Sequence, residues 1–116
     1  MKEKTIEIKS LSVRSASGLV LNNISLKAQK GLLLAIIGPA GGGKTTLLKA
    51  MNRMIEFEEG LESEGDISLN EKSVYWTDLS ELRRKIGIVF SVPTPLPLSI
   101  YDNLAFGPKL HGIVNR

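Results

Sequence analysis

Residues 38–45 read G-P-A-G-G-G-K-T. They satisfy the pattern G-x-x-x-x-G-K-[ST] in full, with Gly38, then Pro39, Ala40, Gly41 and Gly42, then Gly43, Lys44 and Thr45. Backbone amides approach a phosphate closely only where no Cβ intervenes, and glycine meets that need. Successive N–H groups then form an anion-binding concavity, to which a helix opening near Lys44 adds its positive end. The pattern assigns Lys44 to the β- and γ-phosphate oxygens and the Thr45 hydroxyl to Mg²⁺, and Thr46, next in the chain, lies close enough to contact the α-phosphate side. The loop therefore predicts a site for a nucleoside triphosphate.

Such a loop carries weight when a strand precedes it and a helix follows. Leu32 to Ile37 is continuously apolar, which predicts a strand covered on both faces, as in a parallel α/β sheet. After the loop, Leu47, Leu48, Met51, Met54 and Ile55 recur at helical spacing and predict one apolar helix face. Upstream, Ile6 and Ile8, then Leu11 and Val13, mark a half-buried strand. A turn at Ser15-Ala16-Ser17-Gly18 leads to a second strand, Val20 to Leu26, expected to pair antiparallel with the first.

Downstream, Glu56 to Gly65 reads as an acidic loop, and Asp66–Leu69 with Val74–Trp76 as a small hairpin around Asn70-Glu71-Lys72. Asp78 is placed to cap a short helix, with Glu81 completing a capping box. Ile86 to Phe90 predicts another strand. Pro93, Pro95 and Pro97 force an extended loop, and Ile100 to Phe106 begins a further helix.

The 116 residues suffice for one modest core. The net charge of +3 is dispersed, with no basic run longer than Arg83-Arg84-Lys85, so no nucleic-acid partner is expected. Without cysteine, neither a disulfide framework nor a cysteine zinc site is available. Met1 to Lys9 lacks the apolar core of a signal peptide, and Leu32 to Ile37 is far too short to span a bilayer. Direct membrane insertion is therefore not expected. Glu56, Glu58 and Glu59 read as a solvated acidic loop, Tyr75 and Trp76 as packing residues, and the single histidine, His111, as structural.

A phosphate loop alone does not separate transporters, kinases, GTPases and helicases. The order of elements, with Glu81-Leu82-Arg83-Arg84-Lys85-Ile86-Gly87-Ile88-Val89-Phe90, resembles the ATP-binding subunits of ABC transporters. The stretches L-K-A-M-N-R-M (Leu48 to Met54) and S-I-Y-D-N-L-A-F-G-P-K-L-H-G (Ser99 to Gly112) are similar to the ATPase of the ABC-type phosphate importer. The resemblance covers nearly the whole chain. It implies an α/β fold of the P-loop NTPase class, with antiparallel strands and the start of a parallel core sheet. Residues 1–116 would then be the N-terminal part of a nucleotide-binding domain, incomplete as it stands. It also implies ATP and Mg²⁺ as ligands, and as partners membrane-spanning permease subunits and a second ATPase subunit. Such a subunit is cytoplasmic, held peripherally at the inner face of the membrane.

Two positions depart from the family's pattern. Residues 89–93 match the Q-loop region, but Ser91 stands where a glutamine normally contacts Mg²⁺ and the attacking water. An adenine-stacking aromatic is expected near residues 14 and 15, which are Arg14 and Ser15. Arg14 has the guanidinium plane for stacking, although an arginine beside a turn is more often solvated. The family's signature loop, Walker B carboxylates and switch histidine have no match here, and His111 is not that switch. The sequence is accordingly expected to be the N-terminal half of a longer ATPase that binds ATP and turns it over poorly or not at all. The alternatives are a non-catalytic nucleotide-binding remnant or regulatory module, and a P-loop kinase or GTPase.

Overall fold

The computed structural model describes residues 5–113. Residues 1–4, part of the N-terminal segment read above, and residues 114–116 lie outside it. The centre is a four-stranded sheet in the order β2-β1-β3-β4. The strands are β1 (Thr5–Ser15), β2 (Gly18–Gln29), β3 (Glu62–Leu69) and β4 (Lys72–Ser73), every pair antiparallel. The first two form the expected hairpin, closed where Ser15 faces Gly18.

The apolar residues of β1 change parity, from even positions 6 and 8 to odd positions 11 and 13. A one-residue slip in a strand turns every later side chain to the other face. Here a bulge absorbs the slip, so Ile8, Leu11 and Val13 are all buried on one side. Ser10 takes a left-handed φ of 53° at that point, and its N–H donates to Ser25 Oγ at 2.9 Å. Across the hairpin, Asn23 (φ 50°) breaks the spacing of Leu21 and Ile24, and its N–H donates to Ser12 Oγ at 2.9 Å. Serine hydroxyls thus satisfy amides that the bulges remove from the ladder.

β3 begins at Glu62, four residues earlier than the predicted hairpin strand, and runs through Gly65. The glycine belongs there for a steric reason. A Cβ at residue 65 would lie 2.5 Å from the carbonyl oxygen of Ser10 and 2.8 Å from Leu11 Cα. The β3–β4 turn is one residue shorter than predicted, because Lys72 pairs in β4; Asn70 and Glu71 form it, both at positive φ (52° and 68°), the conformation of a two-residue hairpin loop. Val74–Trp76 is a 3₁₀ turn instead of a strand. Tyr75 packs against the core, where burial raises its hydroxyl pKa above the ordinary value and a hydrogen bond with Ser63 opposes the rise. Trp76, expected to pack, is 85% exposed.

The predicted helix face is divided. α1 (Lys44–Met51) ends at Asn52, Arg53 turns left-handed (φ 61°), and Met54–Phe57 forms a separate 3₁₀ turn. Asn52 is responsible: it is buried, and its Oδ1 accepts from Met54 N–H at 3.2 Å, a local bond that competes with helix continuation. Leu47, Ala50 and Ile55 reach the core while Leu48 stays exposed. Glu56 and Glu58 are ion-paired with Arg53 and Lys49.

α2 (Leu79–Lys85) starts at the expected cap, with Asp78 Oδ2 accepting from Glu81 N–H at 3.1 Å. The box is not closed, because the Glu81 carboxylate bonds Lys85 at 2.5 Å instead. Replacing Asp78 with alanine should cost about 1 kcal/mol, read as a small fall in the urea midpoint at unchanged m-value.

The start of a parallel core sheet is not formed. Residues 32–37 and 86–90 carry no ladder hydrogen bonds, and Leu33 and Ile37 are 99% and 93% exposed. Apolar composition makes a segment fit for a buried strand, but a strand exists only by pairing. Neither segment meets a partner strand among the described residues.

Candidate functional site

The cradle is built from the chain between β2 and α1. Pro39 O accepts from Gly42 N–H at 3.1 Å, closing a tight turn. Gly41 and Gly43 then adopt left-handed φ of 77° and 88°. Gly43 is the residue before α1, and no side chain caps the helix. Its first turn also carries no acidic residue. The first amides of α1 are therefore left for an external anion, where the helix dipole favours negative charge.

The loop is tightly packed at two of its glycines. A Cβ at Gly42 would meet Pro39 O at 3.0 Å, and one at Gly43 would meet Leu21 Cδ2 at 2.8 Å and Val20 O at 3.1 Å. The absence of a side chain at Gly43 lets the loop lie close against β2.

Lys44 folds back across the loop. Its Nζ donates to Gly38 O at 2.5 Å and to Pro39 O at 2.7 Å. Both bonds are solvent-exposed, so they are exchangeable for bonds to an anion. A cavity of about 380 Å³ opens beside it, lined by Val20 and residues 40–46. Of the loop residues anticipated from sequence, 40–46 line this cavity, with Thr45 and Thr46 on the helical side, whereas Gly38 and Pro39 line a neighbouring cavity of about 320 Å³ with Leu21, Ile36 and Ile37.

Ser91 does not line that cavity. Next to it in sequence, the Phe90 ring centroid lies 5.9 Å from Lys49 Nζ on α1. Arg14 and Ser15 are not brought to the cradle either. Arg14 is exposed on β1, and the Ser15 hydroxyl is engaged in the hairpin turn with Ser17 and Gly18.

One residue of the cavity and one anchor away from it were not anticipated. Val20 lines the cavity through the β2 register, and nothing in a lone valine signals this. Asn103 sits in α3 (Ile100–Leu110) and ties down the proline loop. Its Oδ1 accepts from Leu96 N–H at 2.8 Å, and its amide nitrogen lies within 3.1 Å of the carbonyls of Leu96, Leu98 and Ser99. Four polar contacts from one side chain to one loop were a readable signal only after the loop and helix had been placed.

α3 is capped by Ser99, which accepts from Asp102 N–H at 3.0 Å. The Asp102 carboxyl is held below its ordinary pKa by the Ser99 hydroxyl bond first and by Lys109 second. Because its folded value lies below the unfolded one, this contribution is present above the ordinary carboxylate pKa of about 3.9 and is lost as pH falls through the folded value. Far-UV circular dichroism should therefore show α3 fraying on acidification below that range, and Asp102→Asn should remove this step.

The glycine-rich loop and the helix that follows it define a P-loop chain. Residues 21–115 match the family model described as ABC transporter, and the chain belongs to that family. It is 42% identical to the phosphate import ATP-binding protein PstB of Thermotoga maritima over 116 residues, covering 98% of this chain and 46% of the relative. The protein of that name from Borrelia garinii subsp. bavariensis is 45% identical over 116 residues, with 98% and 45% covered. Phosphate import ATP-binding protein PstB 1 of Synechococcus sp. is 45% identical over 112 residues, with 95% and 41% covered. The chain spans less than half the length of these relatives. Among the described residues, no helix is long and apolar enough to cross a membrane.

Proposed function

We propose that this chain supplies the triphosphate cradle of an energy-coupling ATPase subunit in an ABC importer of inorganic phosphate. The observation that carries it is the uncapped start of α1 at a glycine-rich loop whose cavity is lined by residues 40–46, with the Lys44 ammonium held by exchangeable bonds to the loop carbonyls. In this reading the amides of residues 41–46 and Lys44 hold the phosphate oxygens of ATP. Mg²⁺ is held by those oxygens together with the Thr45 hydroxyl, as suits an ion that keeps few protein ligands. Magnesium neutralises charge on the phosphates, and the chain's own part is to orient them. Phosphoryl transfer also needs a group that positions the attacking water. Ser91, too short for the family's glutamine contact, is assigned at most a water-bridged role at the metal. The chain by itself is accordingly assigned ATP binding with little or no turnover, and permease subunits and a second ATPase subunit are assigned as its partners at the inner face of the membrane.

The solute assignment is supported by the relatives and is tested with a chimera. Residues 5–113 replace the matching part of the Thermotoga maritima relative, expressed with that importer's permease in cells lacking their own phosphate ATPase. Restored phosphate uptake that depends on Lys44 is the expected result. A folded, ATP-binding chimera that leaves uptake at background contradicts the phosphate reading.

A further inference from the structure

We infer that Arg83 is a positioning residue for the triphosphate cradle: it grips the C-terminal end of α1 and so sets the direction in which the first amides of that helix point. This rests on the triphosphate reading above and adds to it a residue that does not touch the ligand.

The two ends of α1 have different partners. Its first amides belong to the cradle. Its last carbonyls are orphan acceptors at the negative end of the helix dipole, where a cation is favoured. Arg83, on α2, reaches across to that end. Its Nε donates to Asn52 O and its Nη2 to Arg53 O, both at 3.4 Å. Nε and Nη2 share one edge of the guanidinium, a planar fork suited to two acceptors at once. Both carbonyls lie at the turn where left-handed Arg53 ends the helix. The Arg83 guanidinium also lies over the Phe57 ring, with Cζ 5.1 Å from its centroid, a contact that favours one orientation of the plane. Glu56, the acid beside Phe57, is held by Arg53 at 2.7 Å.

α2 gives this fork a fixed base. Leu82, the residue before Arg83, is fully buried in the core that also holds Leu47 and Ala50 of α1. A helix of eight residues is about 12 Å long and too short to be stable alone. Packing of Leu47 and Ala50 fixes one face of α1, and apolar contact alone is non-directional. The fork adds the directional contact, at the end opposite the cradle. A shift of about 1 Å in the first turn is enough to spoil alignment on a bound group.

The test uses the full 116-residue chain titrated with MgATP. In the parent, the Arg83 Nε–H resonance is expected to shift and to saturate together with the Thr45 amide, one helix length away. Arg83→Lys keeps the charge but loses the fork, and should weaken MgATP about tenfold with the melting temperature within about 3 °C of the parent. In Arg83→Ala, about 20 mM guanidinium should restore most of the lost affinity, whereas a merely structural defect would worsen, because guanidinium weakens burial. Arg83→Lys binding MgATP within about twofold of the parent overturns the inference. So does absence of rescue in folded Arg83→Ala, or an Nε–H resonance that stays in place through saturation. That last measurement needs only the parent chain and decides the matter if neither variant folds. Failure of the folded parent to bind MgATP overturns the triphosphate reading instead.

Discussion

Lys44→Ala is expected to weaken triphosphate binding roughly 100-fold while leaving the melting temperature within about a degree of the parent. Lys44 makes its two hydrogen bonds to exposed carbonyls of the loop, and water replaces those bonds at little cost. In the bound state the ammonium meets anionic oxygens, and such charge-assisted bonds contribute about 1.5–3 kcal/mol each. Loss of about 3 kcal/mol corresponds to roughly two decades in Kd. The contrast between a large binding effect and a negligible stability effect separates a ligand contact from a structural one. Titration calorimetry beside differential scanning fluorimetry measures both. Unchanged affinity would remove the phosphate role of the loop.

Gly65→Ala should have the opposite profile, destabilising the fold by about 3–5 kcal/mol with no direct effect on the cradle. The new Cβ would lie 2.5 Å from Ser10 O and 2.8 Å from both Ser10 C and Leu11 Cα. These neighbours are backbone and cannot rotate aside as a side chain would. The residue would also be forced to hold φ at 112°. Overpacking and left-handed strain each cost about 1–3 kcal/mol. The bulge that lets Ile8 and Leu11 face one core would have to open, which unfolds the centre of the sheet. Urea denaturation followed by circular dichroism reads the loss, and a variant as stable as the parent would show that the β1–β3 approach is less tight than described.

These two variants also show what is legible in sequence. The loop around Lys44 was readable because its geometry is local: glycine positions, an uncapped helix start and a lysine lie within a few residues. The parity change from Ile8 to Leu11 was visible as irregular spacing, but its cause needed the bulge and its serine partners on β2. Gly65 was hidden because a glycine among acidic residues looks like a loop; only the position of Ser10 on the neighbouring strand gives it a steric role. The same dependence on distant neighbours defeated the reading of residues 32–37 and 86–90, which have strand composition and no ladder. Asn52 ended the helix early through a side-chain bond that apolar periodicity does not register. Val20 enters the site by register alone.

The most direct measurement of the central claim is the amide nitrogen-15 NMR spectrum of the chain titrated with MgATP. If the cradle binds the polyphosphate, the amides of Gly41 through Thr46 shift first and furthest, saturating together, with Val20 following and α3 unmoved. Saturable shifts confined to other elements, or none at millimolar MgATP in a folded chain, would contradict it.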